Sequence, residues 1–535
     1  MSRDPSQFNL NEYFLGADRL CQFSDNTAIE FHDRRLTYGE LRAEVERWVR
    51  RLENHGVNEG DRVALLLYDS PEFVASFLAV VSLGGICVPI NTFLPGDDVA
   101  FILADSGARL MIAESELQDK AKDNDAANLD TIVYVDSQTR SLRGDESDGG
   151  ADAMVLPTAA LHKTTRQTPA FLLYTSGSTG TPKGVLHLHG SMPFTVQSYS
   201  ANVLKLSAED RIFSSSRMFF AYGLGNSLSF PLAAGATVLL EPKRMDPERL
   251  ASFIEARKPT VFFGVPAVYL SLLEYRSSGG RIDFSSIRLC VSAGEALPSK
   301  IYEDWRREFG FRILDGIGST EMLHIFISNR EENSRAGSTG TIVEGYDARL
   351  SDDAGKQVDA NQLGNLWVRG GSATTGYWNR PDLTESTIID GWVRTGDVYR
   401  RDEDGYFHHI GRSDDCFKVH GLWVSPIEVE SVLVSHDAVS EAAVICAMDE
   451  RGLATVRAYV VIRQGERSST HEETLADELR KFAGSRLSHH KVPTHIHIIE
   501  EMPRTSTGKI QRYKLREANQ GSSGGSDDNS DDKEK

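Results

Sequence analysis

Residues 246–320 alternate between helix-like and strand-like segments, and this alternation constrains the fold more than any other feature of the chain. Apolar residues at helical spacing mark 247–258, 267–275 and 299–309, and short β-rich runs mark 260–265, 287–292 and 311–314. Such βαβ order predicts a parallel sheet flanked by helices. In sheets of this kind, ligands bind beyond the carboxyl ends of the strands.

Three consecutive predicted strands end in glycine-containing segments. These ends carry Gly264, then 293–295 (Ala-Gly-Glu), then 315–321 (Asp-Gly-Ile-Gly-Ser-Thr-Glu). The strands are predicted to be parallel, so we expect their ends to meet at one crevice. A threonine hydroxyl beside a carboxylate, as at Thr320 and Glu321, suits a phosphate together with Mg²⁺. The alternative is an exposed loop glutamate, which is the more common environment of a single Glu.

A second phosphate-binding candidate lies at 174–184, which read Tyr-Thr-Ser-Gly-Ser-Thr-Gly-Thr-Pro-Lys-Gly. Its three glycines permit close backbone approach or positive φ, and exposed N–H groups of such a turn suit anions. Lys183 adds positive charge, and the apolar run 170–174 before the loop predicts a buried strand. It is not a Walker A loop, because Pro182 precedes the lysine and Gly184 follows it. We favour a polyphosphate site over a flexible linker.

The pattern changes near residue 411, where a smaller unit begins. Ser425 to Glu428 form a predicted capping box, followed by a helix to about residue 435, strands at 442–447 and 456–462, a helix at 472–486 and a strand at 495–499. The predicted class is therefore α/β, with a large N-terminal domain of mostly parallel sheets flanked by helices (1–412). A small α+β C-terminal domain (413–520) and a disordered acidic tail (521–535) are predicted to follow.

Composition excludes several classes of protein. A chain of 535 residues exceeds one ordinary core, which agrees with more than one domain. The net charge of −19 argues against a nucleic-acid partner, and no apolar run approaches the length of a membrane span. Five cysteines without paired spacing and a polar N-terminus indicate a reducing, cytoplasmic setting.

Three further segments follow in order along the chain. At 392–397, Asp397 follows Thr-Gly, where a carboxylate can accept both ribose hydroxyls; an Asx-turn is the alternative. A charged run, 411–421, lies where the folding pattern changes, and 503–509 ends in Gly-Lys. Together with the two phosphate-binding candidates, these segments resemble the acyl-adenylate-forming superfamily over nearly the full chain. An adenylation domain and a mobile C-terminal domain are what this resemblance implies.

The resemblance also implies roles for individual residues. The adenylating lysine would be Lys509, Thr320 and Glu321 would be catalytic, and Glu321 would hold Mg²⁺. Asp397 would bind ribose, and Asp414 would be the hinge. Coenzyme A would contact Lys418 and Gly421. The implied ATP-binding residues are Thr175, Ser176, Gly177, Ser178, Thr179, Gly180, Lys183, Gly294, Glu295, Asp315, Gly316, Ile317, Ser319, Thr320, Asp397 and Arg412. Ile317 departs from the family, because many members have an aromatic residue there that stacks on adenine.

Segments 219–226 and 315–326 closely resemble the benzoate-CoA ligase family. Aromatic residues mixed with small ones can build a flat apolar slot, in which Ala221 and Gly223 leave room beside Tyr222. His324 could donate to a substrate carboxylate or to a ring substituent, directly or through a bridging water. The implied aryl-substrate residues are Ala221, Tyr222, Gly223, Gly318, His324 and Ile325. The alternatives are a core aromatic cluster and a satisfied buried histidine.

These observations predict an ATP-dependent benzoate (aryl acid)–CoA ligase that forms an aryl-AMP intermediate and then the carbon–sulfur bond of the thioester. It would use ATP, Mg²⁺ and coenzyme A, act on a small aromatic carboxylic acid, and bind neither nucleic acid nor membrane; a homodimer is compatible with this interpretation. Two alternatives remain at this stage: an adenylating enzyme that loads an aryl acid onto a carrier protein, and an inactive ATP-binding regulator.

Overall fold

A computed structural model describes residues 6–122, 129–140, 142–143, 162–176, 181–420, 422–449, 451–463, 472–504 and 510–521. The expected acidic tail lies outside these ranges apart from its first residue.

The strands of the described residues fall into five sheets. They are β1 (Thr27–Phe31), β2 (Arg34–Thr37), β3 (Arg62–Leu66), β4 (Ile86–Pro89), β5 (Leu110–Glu114), β6 (Thr131–Val135), β7 (Leu142–Arg143), β8 (Pro169–Ser176), β9 (Pro182–Leu188), β10 (Arg211–Ser214), β11 (Thr237–Leu240), β12 (Val261–Gly264), β13 (Leu289–Ser292), β14 (Ile313–Gly318), β15 (Ile325–Ser328), β16 (Thr341–Ile342), β17 (Tyr346–Ser351), β18 (Leu363–Gly370), β19 (Ile388–Ile389), β20 (Trp392–Arg401), β21 (Phe407–Arg412), β22 (Phe417–Val419), β23 (Leu422–Val424), β24 (Val439–Met448), β25 (Ala454–Ile462) and β26 (His495–Ile499).

The helices alternate with these strands through much of the chain. They are α1 (Leu10–Leu15), α2 (Ala17–Phe23), α3 (Tyr38–Asn54), α4 (Pro71–Ser82), α5 (Gly96–Ser106), α6 (Gln118–Lys122), α7 (Ser191–Thr195), α8 (Ala221–Leu224), α9 (Phe230–Ala234), α10 (Pro247–Arg257), α11 (Pro266–Ser277), α12 (Ser299–Phe309), α13 (Pro381–Thr387), α14 (Pro426–Val434), α15 (Glu472–Gly484) and α16 (Arg512–Gly521), with π-helices at Val196–Leu204 and Gly225–Ser229 and 3₁₀ turns at Ser115–Leu117 and His489–Lys491.

A nine-stranded sheet contains the βαβ region and confirms its predicted order. The strand order is β16-β15-β14-β13-β12-β10-β11-β1-β2, and the contiguous pairs from β14 to β1 are parallel. The register pairs Gly264 with Ser292 and Ser292 with Asp315, so the ends of β12, β13 and β14 meet at one edge. The carboxyl ends of these strands therefore lie side by side, as predicted.

A seven-stranded sheet, β7-β6-β5-β3-β4-β8-β9, is parallel in its interior and ends in the antiparallel β8–β9 hairpin. Helix α4 is buried along its whole length, and one apolar cluster contains residues of α3, α4 and both large sheets. Continuous burial of this kind is expected where helices cover parallel sheets. Strands β17 to β21 form a third, antiparallel sheet that the sequence patterns did not predict.

The C-terminal part has its own apolar cluster, which spans Val419 to Leu487. Strands β24, β25 and β26 form a three-stranded sheet, and they overlap the three strands predicted for this domain. Ser425 caps α14 by accepting from the Glu428 N–H at 3.1 Å, which is one half of the predicted capping box. The Glu428 carboxylate forms an ion pair with Lys491 at 2.7 Å, so this side chain faces a neighbouring element. The fold is the predicted α/β class with a smaller C-terminal domain.

Candidate active site

The glycine-rich loop lies at the tip of the β8–β9 hairpin, where Thr175 pairs with Lys183. Tyr174 anchors this hairpin by donating from its hydroxyl to Asp105 Oδ2 at 2.6 Å. A Cβ at Gly184 would lie 3.0 Å from the Tyr174 ring, so a larger residue here would have to displace that ring slightly. The tip residues Gly177, Ser178, Thr179 and Gly180, and the side chain of Ser176, lie outside the described residues.

Tyr377 lies between Lys183 and Glu321, which connects the two phosphate-binding candidates. Lys183 Nζ is 5.8 Å from the centroid of the Tyr377 ring, and the Tyr377 hydroxyl donates to Glu321 Oε1 at 2.6 Å. Burial, and then the charge of Glu321, raise the pKa of Tyr377, so the hydroxyl keeps its proton and remains a donor. Sequence reasoning missed Tyr377, because no local pattern marks it as a partner of Glu321.

Residues 319–324 form a tight turn between β14 and β15. The Leu323 N–H donates to Thr320 O at 3.0 Å, and Leu323 adopts a positive φ of 66°. His187 of β9 is fully buried, which lowers its pKa to about 4, and its Nε2 lies 2.8 Å from Thr320 O. A neutral imidazole therefore donates to this carbonyl and fixes the turn. Thr374 adds a backbone hydrogen bond to Glu321 O at 2.7 Å.

The end of β14 has little space for side chains. A Cβ at Gly318 would lie 2.6 Å from the carbonyl oxygen of His324, and a Cβ at Gly316 would lie 2.9 Å from Ile325. Asp315 is buried, which raises the pKa of its carboxyl group well above the usual range. Within the described residues, Asp315 Oδ1 has no hydrogen-bond partner.

Neighbouring strand ends complete this edge of the sheet. Gly294 follows β13 with a φ of 94°, is exposed, and precedes the half-buried Glu295. Ile317 is half-buried and pairs with Ile327. An aliphatic surface is thus present where many members of the superfamily have an aromatic residue, and Ser319 begins the adjoining turn.

Strands β20 and β21 bring Asp397, Arg412 and His409 together. Asp397 Oδ1 lies 3.4 Å from Arg412 Nη1 and 3.6 Å from His409 Nε2. Burial raises the pKa of Asp397, but the nearby His409 imidazole and the Arg412 charge outweigh burial and hold it below its usual value. The carboxylate is therefore ionised and able to accept ribose hydroxyls. Arg412 also interacts electrostatically with Glu321, and its Nε lies 3.6 Å from Asp414 Oδ1.

The hairpin β22–β23 carries Lys418, whose Nζ lies 4.8 Å from the centroid of the Trp423 ring. Lys418 is exposed, and 44% of Trp423 is exposed. Two residues of the expected C-terminal machinery, Gly421 and Lys509, lie outside the described residues. The described hairpin thus presents a cation on an aromatic ring next to one of the expected coenzyme A residues.

Helix α8 and the following π-helix form the aromatic segment that sequence reasoning assigned to the substrate. Ala221 is buried, and the Tyr222 hydroxyl lies 3.4 Å from the carbonyl oxygens of Gly264 and Val291. A Cβ at Gly223 would lie only 2.0 Å from the carbonyl oxygen of Arg217. The small size of Gly223 therefore accommodates the preceding backbone rather than leaving open space beside Tyr222.

His324 lies in an aromatic cage and is 2% exposed. Its ring centroid is 5.5 Å from Tyr222 and 4.5 Å from Phe230. Burial lowers the pKa of His324 to about 3, and its Nε2 lies 3.1 Å from Asn226 Oδ1. A Cβ at Gly225 would lie 2.3 Å from the imidazole, so the space around His324 depends on Gly225. Asn226 and Gly225 were missed as site residues, although both lie in the aromatic segment.

The side chains near the turn at 319–324 can be compared with the ligands that Mg²⁺ prefers. Among the residues that the structure describes, no group of three or more His, Cys, Asp and Glu side chains could hold a metal ion. Mg²⁺ in nucleotide sites commonly uses one or two carboxylates, with phosphates and water completing its octahedron. The half-buried Glu321, which lies in the turn next to Thr320 and accepts from Tyr377, could supply one such carboxylate.

Comparison with known proteins assigns the family. The AMP-binding enzyme family matches residues 17–378, and the AMP-binding enzyme C-terminal domain matches residues 428–509. The chain belongs to the AMP-binding enzyme family. In the described residues, no helix is long and apolar enough to cross a membrane.

Several relatives of this AMP-binding enzyme act on aromatic acids. It is 39% identical to the 4-hydroxybenzoate–CoA/benzoate–CoA ligase of Rhodopseudomonas palustris over 90% of this chain and 89% of that protein. It is 37% identical to the benzoate–CoA ligase of Thauera aromatica over 96% and 97% of the two chains. The crystal structure of the anthranilate CoA ligase AuaEII with anthranoyl-AMP matches with a TM-score of 0.88 and 36% identity, covering 97% of this chain and 99% of the other.

Proposed function

We propose that this protein is an ATP-dependent aryl acid–CoA ligase and that benzoate is the parent acid of its substrates. One observation carries the proposal: Lys183 lies over the ring of Tyr377, whose hydroxyl donates to Glu321, and Glu321 lies in the same turn as the buried His324. The residues proposed to bind phosphate are thereby close in the chain to a cluster of aromatic rings. The relatives that act on benzoate, hydroxybenzoate and anthranilate support an aromatic acid as the substrate.

In the first step, an oxygen of the aryl carboxylate attacks the α-phosphorus of ATP. A P–O bond forms, the bond to the bridging oxygen of the β-phosphate breaks, and pyrophosphate leaves. The loop with Lys183 would hold the β- and γ-phosphates, and Asp397 would accept the ribose hydroxyls. Lys509 would stabilise the negative charge that redistributes between carboxylate and α-phosphate.

Mg²⁺, when bound, would neutralise phosphate charge in this step. Glu321 would supply the carboxylate ligand that the protein contributes to Mg²⁺, and Thr320 would contact phosphate. The Tyr377 hydroxyl orients Glu321 through a hydrogen bond of 2.6 Å. The protonated state of Tyr377 makes this orientation independent of pH in the neutral range.

In the second step, the thiolate of coenzyme A attacks the carbonyl carbon of the aryl-AMP. The carbon–sulfur bond forms, the carbon–oxygen bond to AMP breaks, and AMP leaves with the electron pair. We propose that the C-terminal domain (413–520) rotates about Asp414 between the two steps. Lys509 would then leave the site, and Gly421 and Lys418 would line the path of the thiol arm.

The aryl ring would lie near Ala221, Tyr222, Gly318, His324 and Ile325. Ala221, His324 and Ile325 are buried, Tyr222 and Gly318 are half-buried, and the glycine at 318 allows close packing of the β14 end. A flat ring loses little conformational entropy on binding there, whereas a flexible alkanoate loses more. We therefore expect aryl acids to be preferred over alkanoates.

The test is a ligation panel with ATP, Mg²⁺ and coenzyme A. Benzoate, 4-hydroxybenzoate, 2-aminobenzoate and octanoate are compared by pyrophosphate release and by acyl-CoA formation. We expect acyl-CoA from at least one aromatic acid and little from octanoate. Pyrophosphate release without acyl-CoA would favour loading of a carrier protein, and absence of both products would favour an inactive ATP-binding regulator. Octanoate as the best substrate would contradict the aryl assignment.

A further inference from the structure

A chain of hydrogen bonds runs from the end of β10 to His324 and determines which ring nitrogen carries the proton. Ser214 Oγ donates to Ser216 O at 3.2 Å and accepts from the Ser216 N–H at 3.2 Å. Because Ser214 donates its only hydroxyl proton to Ser216 O, it can act only as an acceptor toward the side chain of Asn226. The Asn226 amide nitrogen donates to it at 3.3 Å.

This contact orients the Asn226 amide so that its oxygen faces His324. Asn226 Oδ1 lies 3.1 Å from His324 Nε2, so Nε2 must carry the proton. The reverse orientation of the amide would require the Ser214 hydroxyl proton and would leave Ser216 O without its donor. Since burial keeps His324 neutral, its Nδ1 is left as an acceptor with a lone pair.

That acceptor is buried and has no hydrogen-bond partner among the residues that the structure describes. The surrounding rings of Tyr199, Tyr222 and Phe230 offer apolar surfaces at centroid distances of 5.5, 5.5 and 4.5 Å. A buried acceptor without a partner is unfavourable, and native proteins seldom retain one without a water or ligand to satisfy it. A donor on a bound substrate would satisfy it.

We infer that Asn226 is a specificity-determining residue, because it fixes His324 in the tautomer whose Nδ1 selects aryl acids with a hydroxyl or amino group on the ring. Asn226 acts through His324 and is a positioning residue. The inference rests on the proposed aryl acid–CoA ligase function and narrows its substrate class. Unsubstituted benzoate enters the same slot but leaves Nδ1 without a partner.

The parental enzyme provides the first test. The 2-, 3- and 4-hydroxybenzoates and 2-aminobenzoate are each compared with the fluorobenzoate substituted at the same position, which has similar bulk but no donor. We expect at least one donor-bearing acid to exceed its fluoro counterpart by about tenfold or more in kcat/KM, because a site built to bond a donor rejects the analogue that lacks it. Equal kcat/KM values at every ring position would overturn the inference.

The second test is Asn226→Asp. A carboxylate at this position favours the imidazolium form of His324, in which both nitrogens are donors. The ratio of kcat/KM for a donor-bearing acid to kcat/KM for its fluoro counterpart should fall to about one or below. A purely structural loss would lower both kcat/KM values and leave their ratio unchanged. Ser227→Ala, at a buried position in the same π-helix, is the matched control and should keep the parental ratio.

An unchanged ratio in a folded Asn226→Asp enzyme would overturn the role of Asn226. If this variant does not fold, as judged by thermal unfolding and ATP binding, the parental panel decides the inference by itself. Failure of the proposed function is distinguishable from failure of this inference. In the first case no aryl acid releases pyrophosphate, and in the second case benzoate and fluorobenzoates are used as well as the donor-bearing acids.

Discussion

Removing only the hydroxyl of Tyr377 tests whether Glu321 must be held for ATP to react. Tyr377→Phe keeps the ring that lies 5.8 Å from Lys183 Nζ and deletes the 2.6 Å hydrogen bond to Glu321 Oε1. Tyr377 is 8% exposed, so water has little access to replace the lost donor. The substitution therefore isolates one contact in the proposed Mg²⁺–phosphate site.

The expected magnitude follows from the chemistry of this contact. Hydrogen bonds to charged groups contribute about 1.5–3 kcal/mol, and short O–H to carboxylate bonds lie among the stronger ones. If that free energy orients Glu321 in the adenylation transition state, kcat/KM for ATP should fall by roughly 10- to 150-fold, since 1.36 kcal/mol is a factor of ten. The loss should be visible in pyrophosphate release.

Tyr174→Phe is the matched control, because its hydroxyl donates to Asp105 over the same 2.6 Å. Both variants lose one bond to a carboxylate and should lose similar thermal stability. Only Tyr377→Phe should show a large loss in kcat/KM for ATP and a requirement for more Mg²⁺. Parental kcat/KM for ATP in Tyr377→Phe, or equal losses in the two variants, would refute the reasoning.

Three further predictions concern other parts of the chain. Lys509→Ala should slow adenylation by roughly 10²–10³-fold but spare thioester formation from supplied aryl-AMP, and equal losses in both half-reactions would reject the two-conformation mechanism. Asp69→Ala should raise KM for the aryl acid more than KM for ATP. The Asp69 side chain accepts from the backbone N–H of Met218 at 3.0 Å, just before the aromatic segment 219–226, and Asp69→Asn, which keeps an acceptor oxygen, should raise KM less. Burial lowers the pKa of His187 and His189 to about 4 and of His324 to about 3. The free energy of unfolding should therefore fall as pH drops from 6.5 towards these values, by up to about 1.4 kcal/mol per pH unit for each histidine. A free energy of unfolding that stays constant between pH 6.5 and 5 in chemical denaturation would contradict this.

The βαβ region was predictable because local periodicity and strand-end glycines report the same arrangement. The helix predicted at 299–309 has those bounds in the structure, and the last strand, 495–499, also agrees. Each of these elements buries a face that its own residue pattern encodes. The antiparallel sheet of β17 to β21 was not predicted, since its pairing depends on contacts between distant segments.

Residues that position the site were missed for the same reason. Tyr377 reaches Glu321 across 56 positions, and His187 reaches Thr320 across 133. Nothing in the residues adjacent to either one marks it as a partner of the turn. Gly223 shows the opposite error. Its small size suggested open space beside Tyr222, whereas a Cβ at this position would lie 2.0 Å from the Arg217 carbonyl oxygen.

The turn at 319–324 would join the nucleotide and aryl parts of the proposed site. Glu321 and His324 are three residues apart, so their Cα atoms lie within about 11 Å at full extension and closer in a turn. His187 and Thr374 hold the turn through Thr320 O and Glu321 O, which lets Leu323 keep its positive φ. A substrate whose carboxylate met the α-phosphate near Glu321, as we propose, would therefore have its ring close to His324. That spacing suits a single-ring acid, whereas a longer chain would have to extend past the aromatic cage.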